Sequence, residues 1–354
     1  MAKGDDSFST SIKQENTTVP PPPPPPRETP TATPPPREAD LADDKAQSLL
    51  NSLRSTSLAP QETETCMRSL TNLMTSSKDE DEALFQEVIS KLNGIELQRM
   101  AALLTSESDD RYFLETARNK NGSNRLQKLL GKSDDADIFF AAAILRNFFH
   151  VMTDEHASHV AVQGMRVFGV EKRFAMRDQI LNHAVLLACD QYGSVALSAI
   201  IRDVAFLYCS TALFDVVASE APLLSYNAYG SIVVQHVLKH CGLHSTRNIG
   251  VSLRGNYVEL SFTEGGRYIV EKLLERDEET EALVAAELLE CQGDELVRLA
   301  TSEYGHFVVE KALKVTRVDL FRGLVNKLKP SLPLLRSSHH ATTIAEILES
   351  FVTN

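Results

Sequence analysis

Tryptophan is absent from the 354 residues and aromatic side chains make up only 6% of them, yet with 43% hydrophobic residues the chain can bury a large core. Cysteine is sparse and scattered. Cys66, Cys189, Cys209, Cys241 and Cys291 form no C-x-x-C pair, so neither a zinc framework nor a disulfide scaffold is signalled and we read free thiols in a reducing compartment. Long apolar runs are missing as well. The longest, from Phe139 to Leu145, falls far short of the ~20 residues that cross a bilayer. The N-terminus MAKGDDSFSTSIKQ lacks a basic region followed by an apolar one, so no secretory signal is recognisable, and Ala2 rules out N-myristoylation. These absences lead us to expect a soluble, cytoplasmic protein with no membrane association.

Catalytic motifs are also wanting. No G-x-S-x-G, G-x-x-x-x-G-K-[ST] or H-E-x-x-H occurs, which argues against an enzyme and against a bound cofactor. His339 and His340 are adjacent, so on a helix they point about 100° apart, and no third ligand accompanies them. We read them as surface residues rather than a metal site. Positive charge is in deficit: 36 Lys and Arg against 48 Asp and Glu give a formal net charge of −12. That balance speaks against a simple nucleic-acid binder, whose affinity from phosphate neutralisation needs clustered cations.

The residues that are present fall into three parts. Residues 1–45 hold a proline run from Pro20 to Pro26 and a second at Pro34–Pro36, the composition of a disordered polyproline II tail. Such a tail serves either as a solvated spacer or as a docking strip for an aromatic-grooved adaptor. Residues 46–105 turn helical, with apolar groups at Leu49, Leu50 and Leu53, at Met67, Leu70, Leu73 and Met74, and at Leu84, Val88, Ile89 and Leu92. The acidic run Asp79–Glu82 suits a helix N-terminus, where carboxylates oppose the positive end of the dipole. We expect this segment to cap the C-terminal two-thirds of the chain.

From 106 to 354 one pattern recurs, shown best by NAYGSIVVQHVL, Asn227 to Leu238. Tyr229-Gly230 reads as a tight turn with glycine at positive φ, and the helix after it carries an apolar stripe of Val233, Val234, Val237 and Leu238. Ser231 and Gln235 share a different face, with Ile232 about 100° away from Ser231. Equivalents of Gln235 stand at Gln127, Gln163, Ser198, Glu271, Glu310 and Glu346, a period of about 36 residues, in the range of helical repeat arrays. A second column supports the register six residues before each turn position: Thr116, Met152, Leu187, Leu224, Leu260, Leu299 and Leu335. No single unit can bury its own stripe, so stacking into an all-α solenoid is expected, with the second helices side by side.

The copies GSNRLQKLL, SHVAVQGMR, GSVALSAII, GSIVVQHVL, GRYIVEKLL, GHFVVEKAL and ATTIAEILE resemble the Pumilio (PUF) family, with the hallmark turn clearest at DQYGS, NAYGS and SEYGH. The resemblance implies a right-handed curved α-solenoid of three-helix repeats, here seven where eight are usual, the eighth having decayed into the cap around Leu84 to Leu104. It further implies single-stranded RNA as partner, one base per repeat, with two side chains on the base edge and a third stacking. Carried over, the edge pairs are Ser123/Gln127, His159/Gln163, Ser194/Ser198, Ser231/Gln235, Arg267/Glu271, His306/Glu310 and Thr342/Glu346. The stacking positions are Asn124, Val160, Val195, Ile232, Tyr268, Phe307 and Thr343.

By the family's code, Ser with Gln implies adenine at Ser123/Gln127 and Ser231/Gln235. No repeat has the Asn/Gln pair used for uracil or the Ser/Glu pair used for guanine, and only Tyr268 and Phe307 offer strong platforms. The resemblance therefore implies a divergent, monomeric member that binds messenger RNA 3′ untranslated regions, regulates translation and message stability, and recruits protein effectors of repression or decay, with altered or weakened specificity.

Other readings of the same residues stay open. Ser123, Ser194 and Ser231 can instead be helix N-caps after a glycine turn. Tyr268 and Phe307 can be inter-repeat core aromatics. The whole array can be a protein-binding scaffold, which the acidic balance favours. A basic strip along the second helices would favour RNA, and Arg125, Lys128, Arg166, Arg267, Lys272 and Lys311 are its candidates.

Overall fold

The computed structural model describes residues 47–55, 59–106, 110–204, 210–292 and 294–352. The proline-rich segment of 1–45 and Cys209 lie outside the described residues. Within them the chain is helical throughout, with no strand and no helix long and apolar enough to cross a membrane.

Three rows of helices repeat along the array. An outer row comprises α4 (Gly94–Leu104), α7 (Asp134–Arg146), α10 (Val170–Ala188), α12 (Ser210–Ser219), α15 (Leu243–Leu253), α18 (Glu278–Glu290) and α21 (Val318–Leu328). Short helices come next at α5 (Arg111–Arg118), α8 (Phe148–Met152), α13 (Ala221–Tyr226), α16 (Tyr257–Ser261), α19 (Glu295–Thr301) and α22 (Leu332–Ser337). The inner row is α6 (Lys120–Leu129), α9 (Ala157–Val167), α11 (Gln191–Val204), α14 (Ala228–His240), α17 (Glu264–Arg276), α20 (Gly305–Val315) and α23 (Thr342–Val352). Each inner helix packs on the next, as does each outer helix. The stripes close one apolar core that runs unbroken from Leu53 to Leu348. This is the all-α solenoid of three-helix repeats that the spacing predicts. Repeat three is a variant in which α10 runs for 19 residues and serves as both the outer and the short helix.

The N-terminal end differs from expectation. α2 (Pro60–Thr75) lies against α6 and so extends the inner row by one helix, while α4 already packs on α7 as the first outer helix. Repeat one therefore begins at Gly94, not at 106. The helix that extends the array beyond the seven units is α2, preceded by α1 over 47–54, rather than the segment from Leu84 to Leu104. α3 (Asp79–Lys91) does start on the acidic run, with Asp79, Glu80, Asp81 and Glu82 in its first turn.

The glycine column has a different cause from the one expected. Gly230 lies inside α14, and the glycines with positive φ among the described residues are Gly131 and Gly255. What singles out Gly230 is proximity: a Cβ there would sit 2.6 Å from the carbonyl oxygen of Leu224. The same holds for Gly122 against Thr116 at 2.1 Å, Gly193 against Leu187 at 2.6 Å, Gly266 against Leu260 at 2.3 Å and Gly305 against Leu299 at 2.7 Å. The two sequence columns six residues apart are thus the two sides of one backbone contact, where the short helix meets the start of the inner helix. Gly265 likewise belongs to a helix, α17, and its Cβ would lie 2.4 Å from Ser231 Oγ of the preceding repeat.

Candidate nucleic-acid interface

Six of the seven inner helices, α6 to α20, are started by a residue that the sequence pattern did not single out. Asn227 accepts hydrogen bonds from Tyr229 N and Gly230 N, and Asn119 does the same for Asn121 N and Gly122 N. Asp190 caps Tyr192 and Gly193, Asp154 caps His156 and Ala157, Thr263 accepts from Gly266 N, and Ser302 accepts from Gly305 N. A side-chain acceptor at this position satisfies N–H groups that the helix cannot pair internally. The signal was legible: Asn, Asp, Thr or Ser stands three residues before each of these small residues. The serines read as possible N-caps play another part. Ser194 Oγ donates to Gln191 O and Ser231 Oγ to Ala228 O, while Ser123 Oγ donates to His156 O of the next repeat at 2.7 Å.

The cap column corrects the register of repeat two. Asp154 places Ala157 at the glycine position, so Ser158 matches Ser231, His159 matches Ile232 and Val162 matches Gln235. Burial agrees: Val160 is 0% exposed and cannot stack on a base, whereas His159 is exposed. The assignments of His159 and Gln163 to an edge pair and of Val160 to stacking are therefore one residue out, and Val151, not Met152, occupies the second column. Val162 is buried, so this repeat presents no polar side chain at the second edge position.

With that change one row of side chains faces outward along the inner helices. Asn124, His159, Val195, Ile232, Tyr268 and Phe307 are exposed, and Thr343 is half-buried. Tyr268 and Phe307, at 42% and 40% exposure, are surface aromatics and not inter-repeat core. The edge positions are less open. Ser123, Ser194, Ser198 and Ser231 are buried, with Ser198 Oγ lacking a hydrogen-bond partner. Gln127 Nε2 reaches its own partner Ser123 Oγ at 3.2 Å, and Gln235 Nε2 reaches Gly265 O at 3.3 Å. His306 Nδ1 lies 2.9 Å from Ser302 O, and its ring packs against Phe307 and His340. Glu310 pairs with Lys314, while Thr342 and Glu346 are exposed. His339 and His340 are exposed too.

The candidate basic strip is neutralised by carboxylates. Arg125 is 3% exposed and binds Glu82 at 2.7 Å as well as the carbonyls of Leu73 and Met74, which makes it a staple between α6 and the N-terminal helices. Lys128 also binds Glu82, at 2.8 Å, Arg166 binds Asp203, and Lys272 and Lys311 share Glu275 at 2.7 and 2.5 Å. Arg267 binds Glu271 at 3.0 Å. These partners leave their mark on the acids. The hydrogen bond from Lys128, with those from Gln86 and Arg125, draws Glu82 down to about 2, and Lys272 and Lys311 lower Glu275. Glu271 goes the other way, because burial outweighs the pull of Arg267 and raises it.

Comparison with known proteins places these features in context. A model of the Pumilio-family RNA-binding repeat matches residues 183–197, 222–249 and 295–328. Pumilio homolog 18 of Arabidopsis thaliana is 52% identical over 285 residues, covering 80% of this chain and 85% of that protein. Putative pumilio homolog 17 of the same plant is 47% identical over 287 residues, 80% of this chain and 84% of its own. Among solved structures, the Puf4 RNA-binding domain bound to a 3′ UTR recognition sequence of HO endonuclease RNA superposes with a TM-score of 0.68 at 20% identity, covering 85% of this chain and 95% of that one. The RNA-binding domain of yeast Puf5p bound to SMX2 RNA gives 0.65 at 14% identity, with 89% and 96% covered.

Proposed function

This chain belongs to the Pumilio family of RNA-binding repeat proteins, and on that premise we propose that it binds single-stranded RNA along its inner helices, in messenger RNA 3′ untranslated regions, and so regulates translation and message stability. We read it as a monomeric, non-enzymatic, cytoplasmic protein whose effect on a message comes through recruited protein effectors. The observation that carries the reading is the outward row at the stacking positions, above all Tyr268 and Phe307 exposed on successive inner helices. An aromatic ring exposed on an inner helix offers a flat face on which a nucleobase can stack. Cross-linking the full chain to RNA in cells tests this. Cross-links concentrated in 3′ untranslated regions, and reduced by Phe307→Ala, are expected; cross-links spread evenly over transcripts and unchanged by that substitution would remove the proposal.

One observation favours a second reading, a helical scaffold for protein partners. All six candidate cations of the inner face are held by carboxylates, so phosphate attraction is weak. The scaffold predicts a partner that co-purifies after nuclease treatment and is lost with Ile232→Asp. RNA that elutes the partner competitively would return the argument to the first reading.

A further inference from the structure

We propose that Arg267 is a built-in plug that occupies the base slot of repeat five, so that RNA bound to this chain leaves one nucleotide unread at that position. The inference rests on the RNA-binding reading. In that reading a base at repeat five would lie between the platforms Tyr268 and Phe307, with its edge towards Arg267 and Glu271. In the structure the guanidinium carbon of Arg267 lies 3.9 Å from the Tyr268 ring centroid and 4.1 Å from the Phe307 ring centroid. Flat groups in contact stack at roughly 3.5–4 Å, so a single planar group already fills the gap.

The plug is also anchored. Arg267 Nη1 donates to Glu271 Oε1 at 3.0 Å, so the two edge residues bind each other instead of a base. The Arg267 side chain is only 12% exposed and that of Glu271 19%. A guanidinium suits this place better than an ammonium would: it is planar, weakly hydrated and stacks on aromatic faces. Entry of a base would have to expel a cation from two ring faces and leave Glu271 half-buried without its counterion. Burial already raises Glu271 towards its neutral form, so loss of Arg267 would add to the cost. Swinging the unread nucleotide outward avoids both penalties.

The test is parallel selection from a randomised single-stranded RNA pool with the full chain, its Arg267→Ser, Arg267→Ala and Arg267→Lys variants, and a thermal melt of each. The native chain is expected to enrich a motif with no base preference opposite repeat five. Arg267→Ser creates the Ser/Glu pair that the family uses for guanine, and is expected to gain at least tenfold preference for guanine at that one position, with the rest of the motif unchanged. Arg267→Ala and Arg267→Lys, which remove the plane, are expected to bind at least as tightly as the native chain. A native preference at that position that Arg267→Ala abolishes would overturn the proposal and make Arg267 a reader. A native motif unchanged in Arg267→Ser would overturn it too, while leaving the RNA-binding reading intact. No enrichment by any of the four proteins would remove the RNA-binding reading and this inference together.

Discussion

At the scale of single residues, the edge groups are restrained before any ligand arrives. Gln235 engages its amide with Gly265 O at 3.3 Å, a long bond that a base edge can replace. Gln235→Ala is expected to reduce discrimination at one base by ~1–3 kcal/mol, the worth of a bidentate contact, with melting unchanged; equal affinity for all four bases before and after would disprove the assignment. Repeat two offers a sharper pair. Val160→Ala removes a fully buried side chain and should destabilise the fold by about 1–3 kcal/mol through lost burial and a cavity. His159→Ala should leave the melting temperature alone and weaken RNA binding by about 1–3 kcal/mol, the cost of a lost stacking surface. The reverse outcome would restore the register one residue further on.

That register was hard to read for a physical reason. Repeat two has Ala157, as repeat seven has Ala341, where the other five have glycine, and Gln163 falls one place after Val162, the match of Gln235. Glutamine is therefore a poor anchor for the register of this repeat. The capping column, anchored at Asp154, is the more reliable guide, because the N–H groups at a helix start need an acceptor whether or not that copy still reads a base. The burial of Ser123, Ser194 and Ser231 was not legible, since it depends on how closely the next repeat approaches, as Gly265 does to Ser231.

At the scale of helices and their junctions, the inner helices were legible from their stripes, and the glycine and leucine columns marked where each is entered. Their meaning was not: the contact of Gly230 with Leu224 O needs the short helix in place. Gly230→Ala sets two effects against each other, a helix-propensity gain of ~1 kcal/mol and an overpacking cost of ~1–3 kcal/mol. The carbonyl is backbone and cannot rotate away, so the cost prevails. A net loss on the order of 1 kcal/mol in urea unfolding is expected, and a gain would show that the junction relaxes freely. α2 is not recognisable as an inner helix from the repeat pattern because it carries an apolar stripe without the glycine that the other inner helices mostly have near their start.

The junction between α3 and α6 is an acid-sensitive one. Glu82 takes Arg125 and Lys128 at once, and its carboxyl is drawn from its ordinary 4.5 to about 2. A lowered carboxylate contributes stability that is present above its unfolded-state value and is lost as pH falls through the folded one. The melting temperature should therefore drop between pH 4.5 and about 2, and the drop should be shallower in Glu82→Gln, which starts from a less stable protein at neutral pH. Parallel curves for the two proteins would show that Glu82 does not couple to folding. Because Glu82 is half-buried and Lys128 exposed, the effect is modest and shrinks in salt.

At the scale of the whole molecule, the period of about 36 residues declared the solenoid before any side chain was placed, and the net charge of −12 declared its difficulty as a polyanion binder. The ion pairs show how that difficulty is distributed: the six candidate cations each have an acid beside them, which weakens their pull on phosphate. Log affinity against log salt should have a slope shallower than about −2, since single strands give about −0.7 per phosphate neutralised. Recognition then depends on stacking and on the few intact edge pairs.

The most direct measurement of that claim is selection of bound RNA from a randomised pool by the purified full chain. On the proposed reading Ser123/Gln127 in repeat one and Ser231/Gln235 in repeat four face adenines, and repeats two and three lack an amide at the second edge position. The predicted result is a motif with two adenines separated by two nucleotides of weak preference, bound well above the affinity for scrambled RNA. A pool that leaves selection without any enriched sequence, bound no tighter than non-specific RNA, would contradict it.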